Sequence, residues 1–218
     1  PDMRSAQEAT AYLRALRSIL RYLGVSDADM EKGQFRCDAN VSLRLRGAPE
    51  FGTRTEIKNL NSFTNVEDAI EAEALRQLEL IEDGEDIVQA TMAYDPERHR
   101  TSVMRLKENS DDNRYFPDPD LIPLRIDPAH IEAVREALPE LPEEKRNRFE
   151  TEYALSAYDA GVLTATRVLA DFFEATAKGC GAPKVAANWI TRDVLRELKE
   201  RECELEDLSL TPEMLGKL

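Results

Sequence analysis

The chain has 218 residues, 42% apolar and 33% charged, with 29 basic against 43 acidic side chains and a net charge of −14. That is enough apolar material for one large core or two small ones, and no run approaches the ~18 apolar residues of a membrane span. So negative a total argues against a general polyanion or DNA binder, but it leaves room for a local basic patch that holds one phosphorylated ligand.

The chain opens on Pro1 with neither a basic n-region nor an apolar h-region, so no secretory signal is expected and a piece of a longer polypeptide is. Cys37, Cys180 and Cys203 stand far apart, without a CxxC, and His99 and His130 have no partner at ligand spacing. A zinc site is therefore not expected, and unpaired thiols fit a reducing compartment.

Ser5 and Glu8 form a capping box ahead of Ala9, Tyr12, Leu13, Leu16, Ile19, Leu20 and Leu23 at helical spacing, with Gly24 as the stop. A helix over 6–23 follows. From Phe35 to Leu45 the odd positions are apolar and the even ones, Arg36, Asp38, Asn40, Ser42 and Arg44, are polar, a strand pattern. After the turn at 47–50 comes a second strand, TRTEIKN, with Arg54, Glu56 and Lys58 on one face. In an antiparallel pair the facing positions must sum to an even number to keep the polar faces together. The close registers, summing to 96 or 98, both set Asp38 and Asn40 beside Glu56 and Lys58.

Asn61 or Ser62 caps a helix over 63–83 that turns Phe63, Val66, Ile70, Leu78 and Ile81 inward. A hairpin follows, 88–94 and 101–107 around DPERHR. Parity sets Val88, Ala90, Met92 and Tyr94 against Met104 and Leu106, and leaves Gln89, Thr91, Arg105 and Lys107 on the other face. The segment 108–124 reads as an irregular loop broken by prolines. Beyond Asp127–Pro128 only helices are expected, at 129–137, 143–153, 157–177 and 184–202. The fold class is α+β: an antiparallel-sheet portion over 1–125, an all-helical domain over 126–205, and the start of a linker over 206–218.

The chemistry points to the polar sheet face. Arg36, Asp38, Asn40, Arg54, Glu56 and Lys58 lie on adjacent strands about 4.8 Å apart. Carboxylate and amide oxygens are hard ligands for magnesium, and Lys or Arg neutralises phosphate oxygens. The other reading of these residues is an ordinary solvated sheet face. Arg105 and Lys107 add cations, followed by Asp111, Asp112, Arg114 and Tyr115, which read alone are a capped surface turn. Cys37 alternates onto the apolar face, His99 sits in a turn, and Trp189 is either a core aromatic or an interface anchor.

At these residues a resemblance emerges. PDMRS, LRSILRYLGVSDADMEKGQFRCDANVSLR, FGTRTEIKNLNSF, SVMRLKE, RYFPDPDLIPL, ELPEEKRNRF, AYDAGVLTATRVLADFFE and NWITRDV resemble, in order and spacing, the GatB component of the bacterial and organellar glutamyl/aspartyl-tRNA amidotransferases, GatCAB. The resemblance implies a glutamine-synthetase-like cradle followed by a helical domain and a tRNA-gripping tail. It implies ATP and magnesium as cofactors, the amidase subunit and the small third subunit of GatCAB as partners, and misacylated Glu-tRNA(Gln) or Asp-tRNA(Asn) as substrate, in the cytoplasm or an organellar matrix. The chain would hold the second half of the cradle and the helical domain, and alone would be inactive.

By motif position Glu56 matches the family's metal-ligand glutamate. Asp38, Asn40, Lys58 and Asn59 are expected to line the same pocket as catalytic residues, with Arg36, Arg54, Arg105, Lys107, Asp112, Arg114 and Tyr115 holding the cofactor. The chain departs from the family at Ala90, where QET is usual, and at Asn113, where DYRYF is usual. The competing expectation is a non-catalytic acidic scaffold that binds a partner through its helices.

Overall fold

The computed structural model describes residues 3–106 and 119–218. They fall into two units, one of residues 1–16 and 28–128, the other of 17–27 and 129–218. The class is α+β, with a helical C-terminal part.

Helix α1 (Ala6–Tyr22) starts in the first unit and its residues from Arg17 onward belong to the second; the Ser5 hydroxyl accepts from the Glu8 amide at 3.1 Å as the capping box requires. Strands β1 (Cys37–Val41), β2 (Thr55–Leu60), β3 (Ala90–Asp95) and β4 (Arg100–Leu106) form one sheet in chain order. β1–β2 and β3–β4 pair antiparallel, while β2–β3 is parallel because helix α2 (Phe63–Glu82) carries the chain across between them. The sheet is therefore mixed. Ser62 is the N-cap of α2, its side chain accepting from the Asn65 amide. Ala39, Val41, Ile57, Leu60, Val66, Ala69, Ala90 and Met92 make the core between α2 and one sheet face, with Cys37 partly buried at its margin, as alternation requires. Burial, and then the neighbouring Asp38, push the Cys37 thiol up.

The inner face of α2 differs from its apolar reading. Leu78 and Ile81 are 43% and 47% exposed, and with Leu75, Leu43 and Leu45 they line an open apolar groove. What α2 buries in its second half is Glu73 and Gln77, both 0% exposed. One Glu73 carboxylate oxygen accepts from Thr55 Oγ1 (2.8 Å), Gln77 Nε2 (3.0 Å) and an Arg76 terminal nitrogen (2.7 Å). The other accepts from Thr101 Oγ1 (2.6 Å) and Arg76 Nε (3.0 Å). Gln77 Nε2 also donates to Thr55 Oγ1 and to the Val41 carbonyl. Helical spacing of apolar residues does not reveal that a carboxylate with all these donors can be buried on the sheet-facing side.

Thr101 reaches this network because of a bulge. Thr91 pairs with Arg105, but Met92 pairs with Val103, so Met104 is an extra residue and the parity of β4 flips beyond it. Leu106 therefore shares the face of Ala90 as expected, whereas Val103, not Met104, stands opposite Met92. The turn of this hairpin is closed by Asp95, whose side chain accepts from the Glu97 and Arg98 amides.

In the second unit, α3 (Pro128–Ala137) has no buried residue, and α4 (Pro142–Glu152) follows. The helix expected at 157–177 is two, α5 (Ala157–Leu163) and α6 (Arg167–Cys180), because Thr166 Oγ1 caps a new start by accepting from the Leu169 amide at 3.2 Å. That expected at 184–202 is α7 (Pro183–Trp189), a π turn over Ile190–Val194, and α8 (Leu195–Arg201). Phe149, Leu163, Phe173 and Ile190 are fully buried at the centre, and Leu205 and Leu215 of the closing segment, with α9 (Pro212–Leu215), join the same core. Tyr22 belongs here too, its hydroxyl donating to the Thr164 carbonyl at 2.7 Å. Among the described residues no helix is long and apolar enough to cross a membrane.

Burial pushes the Glu73 carboxyl up, but the hydrogen bonds from Arg76, Thr101, Gln77 and Thr55 outweigh it and hold it below its ordinary value of 4.5. A depressed folded value means its stabilisation is complete above 4.5 and is lost as pH falls through the folded value. Glu73→Ala strands Thr55, Thr101 and Gln77 and should cost about 3–5 kcal/mol by denaturant unfolding, whereas Glu73→Gln should cost less and flatten the acid limb of stability against pH.

Candidate functional site

The β1–β2 register builds the polar face. Ala39 faces Ile57, Asn40 faces Glu56 and Val41 faces Thr55, each pair summing to 96. Glu56 pairs in turn with Thr91 across the parallel join, and Thr91 with Arg105. Partners share a sheet face. Asn40, Glu56, Thr91 and Arg105 therefore form one row across all four strands, on the face opposite α2.

Beside this row the sheet is bulged. Cys37 pairs with Leu60, so Lys58 and Asn59 together oppose Asp38. Asn59 takes φ +62, the left-handed conformation that asparagine tolerates better than most residues, and its side chain is exposed. The bulge brings Lys58 Nζ to 2.9 Å from Asp38 and 2.8 Å from Glu56. All three side chains are mostly buried, with 29%, 26% and 19% of their surface exposed. Hydrogen bonding to Glu56 first, and then to Asp38, raises the Lys58 ammonium above its ordinary value. The second carboxylate oxygen of Asp38, Oδ1, is buried without a hydrogen-bond partner among the described residues.

Asp38, Asn40, Glu56, Lys58 and Arg105 thus come together on one face. Arg36 reaches Asp38 from the rim at 3.5 Å and is largely exposed. Arg54 lies one residue ahead of β2, exposed. Asn59 is beside the group, turned by its backbone. Lys107, Asp112, Arg114 and Tyr115 lie outside the described residues. Thr91 is the row member that sequence reasoning left out of the site, although its parity with Gln89 and Arg105 already placed it on this face.

Among the described residues no group of three or more His, Cys, Asp or Glu side chains is placed to hold a metal ion. Magnesium commonly takes one or two carboxylates and keeps water on its other positions. Asp38, with its unpaired oxygen, and Glu56 fit such a partial shell, with the Asn40 amide beside them.

The GatB/GatE catalytic domain matches residues 1–132, and the GatB domain matches 171–218. The chain belongs to the GatB family. It is 56% identical to the B subunit of the aspartyl/glutamyl-tRNA(Asn/Gln) amidotransferase of Oleidesulfovibrio alaskensis, 53% to that of Chlorobaculum tepidum and 55% to that of Alkalilimnicola ehrlichii. Each alignment covers 100% of this chain and 46% of the relative, so the chain spans about half the length of the curated relatives it matches.

The bulge separates two roles for Asn59. Asn59→Gly should leave stability within about 0.5 kcal/mol, and Asn59→Val should lose about 1–2 kcal/mol, because a β-branched residue resists positive φ. Denaturant unfolding of both variants measures this, and a large loss in the glycine variant would show that the side chain itself holds the bulge.

Proposed function

We propose that this chain carries part of the active site of the GatB component of a tRNA-dependent amidotransferase, which amidates Glu-tRNA(Gln), Asp-tRNA(Asn) or both. In this reading a side-chain carboxylate oxygen of the misacylated tRNA attacks the γ-phosphorus of ATP, and ADP leaves. Ammonia from a glutaminase partner, the amidase subunit, then adds to the activated carbonyl carbon. Phosphate departs with one ammonia proton, leaving the amide. The step needs activation because a free carboxylate is a poor electrophile and an acyl phosphate a good one. Bound magnesium supplies charge neutralisation during phosphoryl transfer.

The chain's own residues have matching roles. Glu56 and Asp38 hold the cation, Asn40 and Lys58 orient the reacting carboxylate and phosphate, and Arg36, Arg54 and Arg105 draw the nucleotide. Lys107, Asp112, Arg114 and Tyr115 belong to the nucleotide's rim by motif membership. The small third subunit and the tRNA complete the assembly, in a bacterial cytoplasm or an organellar matrix. The observation that carries this reading is the meeting of Asp38 and Glu56 at the Lys58 ammonium on one face. Two neighbouring carboxylates can share a magnesium ion, which commonly takes one or two of them together with substrate phosphates, and the lysine between them can turn to a phosphate once the ion is bound. The names of the relatives supply the reaction class.

Glu56→Gln in the full-length protein, assembled with its partners, tests it. The variant keeps the shape of the side chain and removes its charge. Transamidation should fall by about 10²–10³-fold with assembly intact. Activity within about twofold of the wild type would remove Glu56 from the site.

A further inference from the structure

The described part of the chain buries five threonines, Thr10, Thr55, Thr91, Thr164 and Thr176. Four have partners. Thr10, Thr164 and Thr176 donate to the carbonyl four residues back, at 3.0, 2.7 and 2.9 Å, and Thr55 donates to Glu73. Thr91 is the exception. It is 4% exposed, and its hydroxyl has no hydrogen-bond partner among the described residues.

An orphaned buried hydroxyl costs about 1–3 kcal/mol. Valine has almost the same shape, suits a strand at least as well and would carry no such cost. A strand offers no carbonyl four residues back, so the backbone cannot satisfy this hydroxyl as it does in a helix. Its place in the row is informative. Thr91 stands between Glu56, an anion, and Arg105, an exposed cation, on the face that also holds the unpaired Asp38 oxygen.

We propose that Thr91 is a ligand-binding residue of this face, its hydroxyl donating to a phosphoryl oxygen of a nucleoside triphosphate. The assignment rests on the nucleotide reading above and adds a residue to it. A neutral donor beside a guanidinium suits a phosphate oxygen, which accepts from both, and a cation held by the neighbouring carboxylate would offset the phosphate's charge. The hydroxyl is covered, so engagement requires a neighbour to move. Arg105, its cross-strand partner, is exposed on the edge strand.

The test is equilibrium binding of ATP with magnesium to the full-length protein in its assembled complex, by calorimetry, in wild type, Thr91→Val, Thr91→Ser and Glu56→Gln. Thr91→Val should lose affinity on the order of tenfold, the size of one hydrogen bond to a charged group. Thr91→Ser, which keeps the hydroxyl, should stay within about twofold. Without ligand, Thr91→Val should unfold at the same or a higher temperature, since an unsatisfied group has gone. That combination separates a binding role from a structural one. Wild-type affinity in Thr91→Val, with binding lost in Glu56→Gln, overturns this assignment and leaves the nucleotide reading standing. A wild-type protein that binds no nucleotide overturns both. If Thr91→Val does not assemble, Thr91→Ala removes the same hydroxyl, and the same affinity criteria apply to it.

Discussion

A single buried carboxylate, Glu73, organises the first unit. A charge with no exposed surface is tolerated only when its lone pairs are filled, and here Arg76, Gln77, Thr55 and Thr101 fill them. Those partners come from α2, β2 and β4, so one side chain spans the strand between the last two. β2 cannot slide by one residue without taking Thr55 from Glu73 and turning Glu56 and Lys58 into the core. The network thus specifies the face on which the polar row appears, although it lies on the other side of the sheet. Hydrophobic packing of Ile57 and Met92 favours the same register. The hydrogen bonds make it discrete, because a displaced threonine leaves a charge unsatisfied.

On the far face the logic reverses. Asp38 and Glu56 are like charges on neighbouring strands, and their closeness raises the free energy of the sheet. Lys58 offsets this by lying between them. The extra residue at Asn59 makes that geometry possible, since it lets Asp38 face two residues of β2 instead of one. Preorganised charge with one oxygen still unpaired is the usual compromise of a binding face, where local stability is exchanged for affinity.

Much of this was legible in the sequence, and the reasons are specific. Strict alternation from Phe35 to Val41 gave the faces of β1, and the even-sum rule admitted registers of 96 and 98, of which 96 is observed from Ala39 to Val41. The caps at Ser5 and at Asn61 or Ser62 announced their helices, and Ser62 is the residue that caps the second. What alternation could not reveal were the two bulges, because one inserted residue changes no composition and flips every position beyond it. The parallel join of β2 and β3 was equally hidden, since it depends on where α2 returns the chain. The face of α2 was misjudged because Leu78 and Ile81 are apolar yet half exposed, whereas Glu73 and the Gln77 amide nitrogen find hydrogen-bond partners in the interior. The same blindness to pairing left Thr91 out of the site: an alternating Thr looks like solvated surface until its hydroxyl is seen to be enclosed.

The central claim is that the row Asn40, Glu56, Thr91 and Arg105, with Asp38 and Lys58 beside it, is one ligand-binding face. Anomalous diffraction from manganese, in crystals of the full-length protein grown with a non-hydrolysable ATP analogue, addresses it most directly. The account predicts a manganese peak about 2–2.5 Å from a carboxylate oxygen of Glu56 or Asp38, with phosphates over Thr91 and Arg105 and Lys58 drawn away from at least one carboxylate. A peak elsewhere, with the Asp38–Lys58–Glu56 contacts undisturbed, would contradict it.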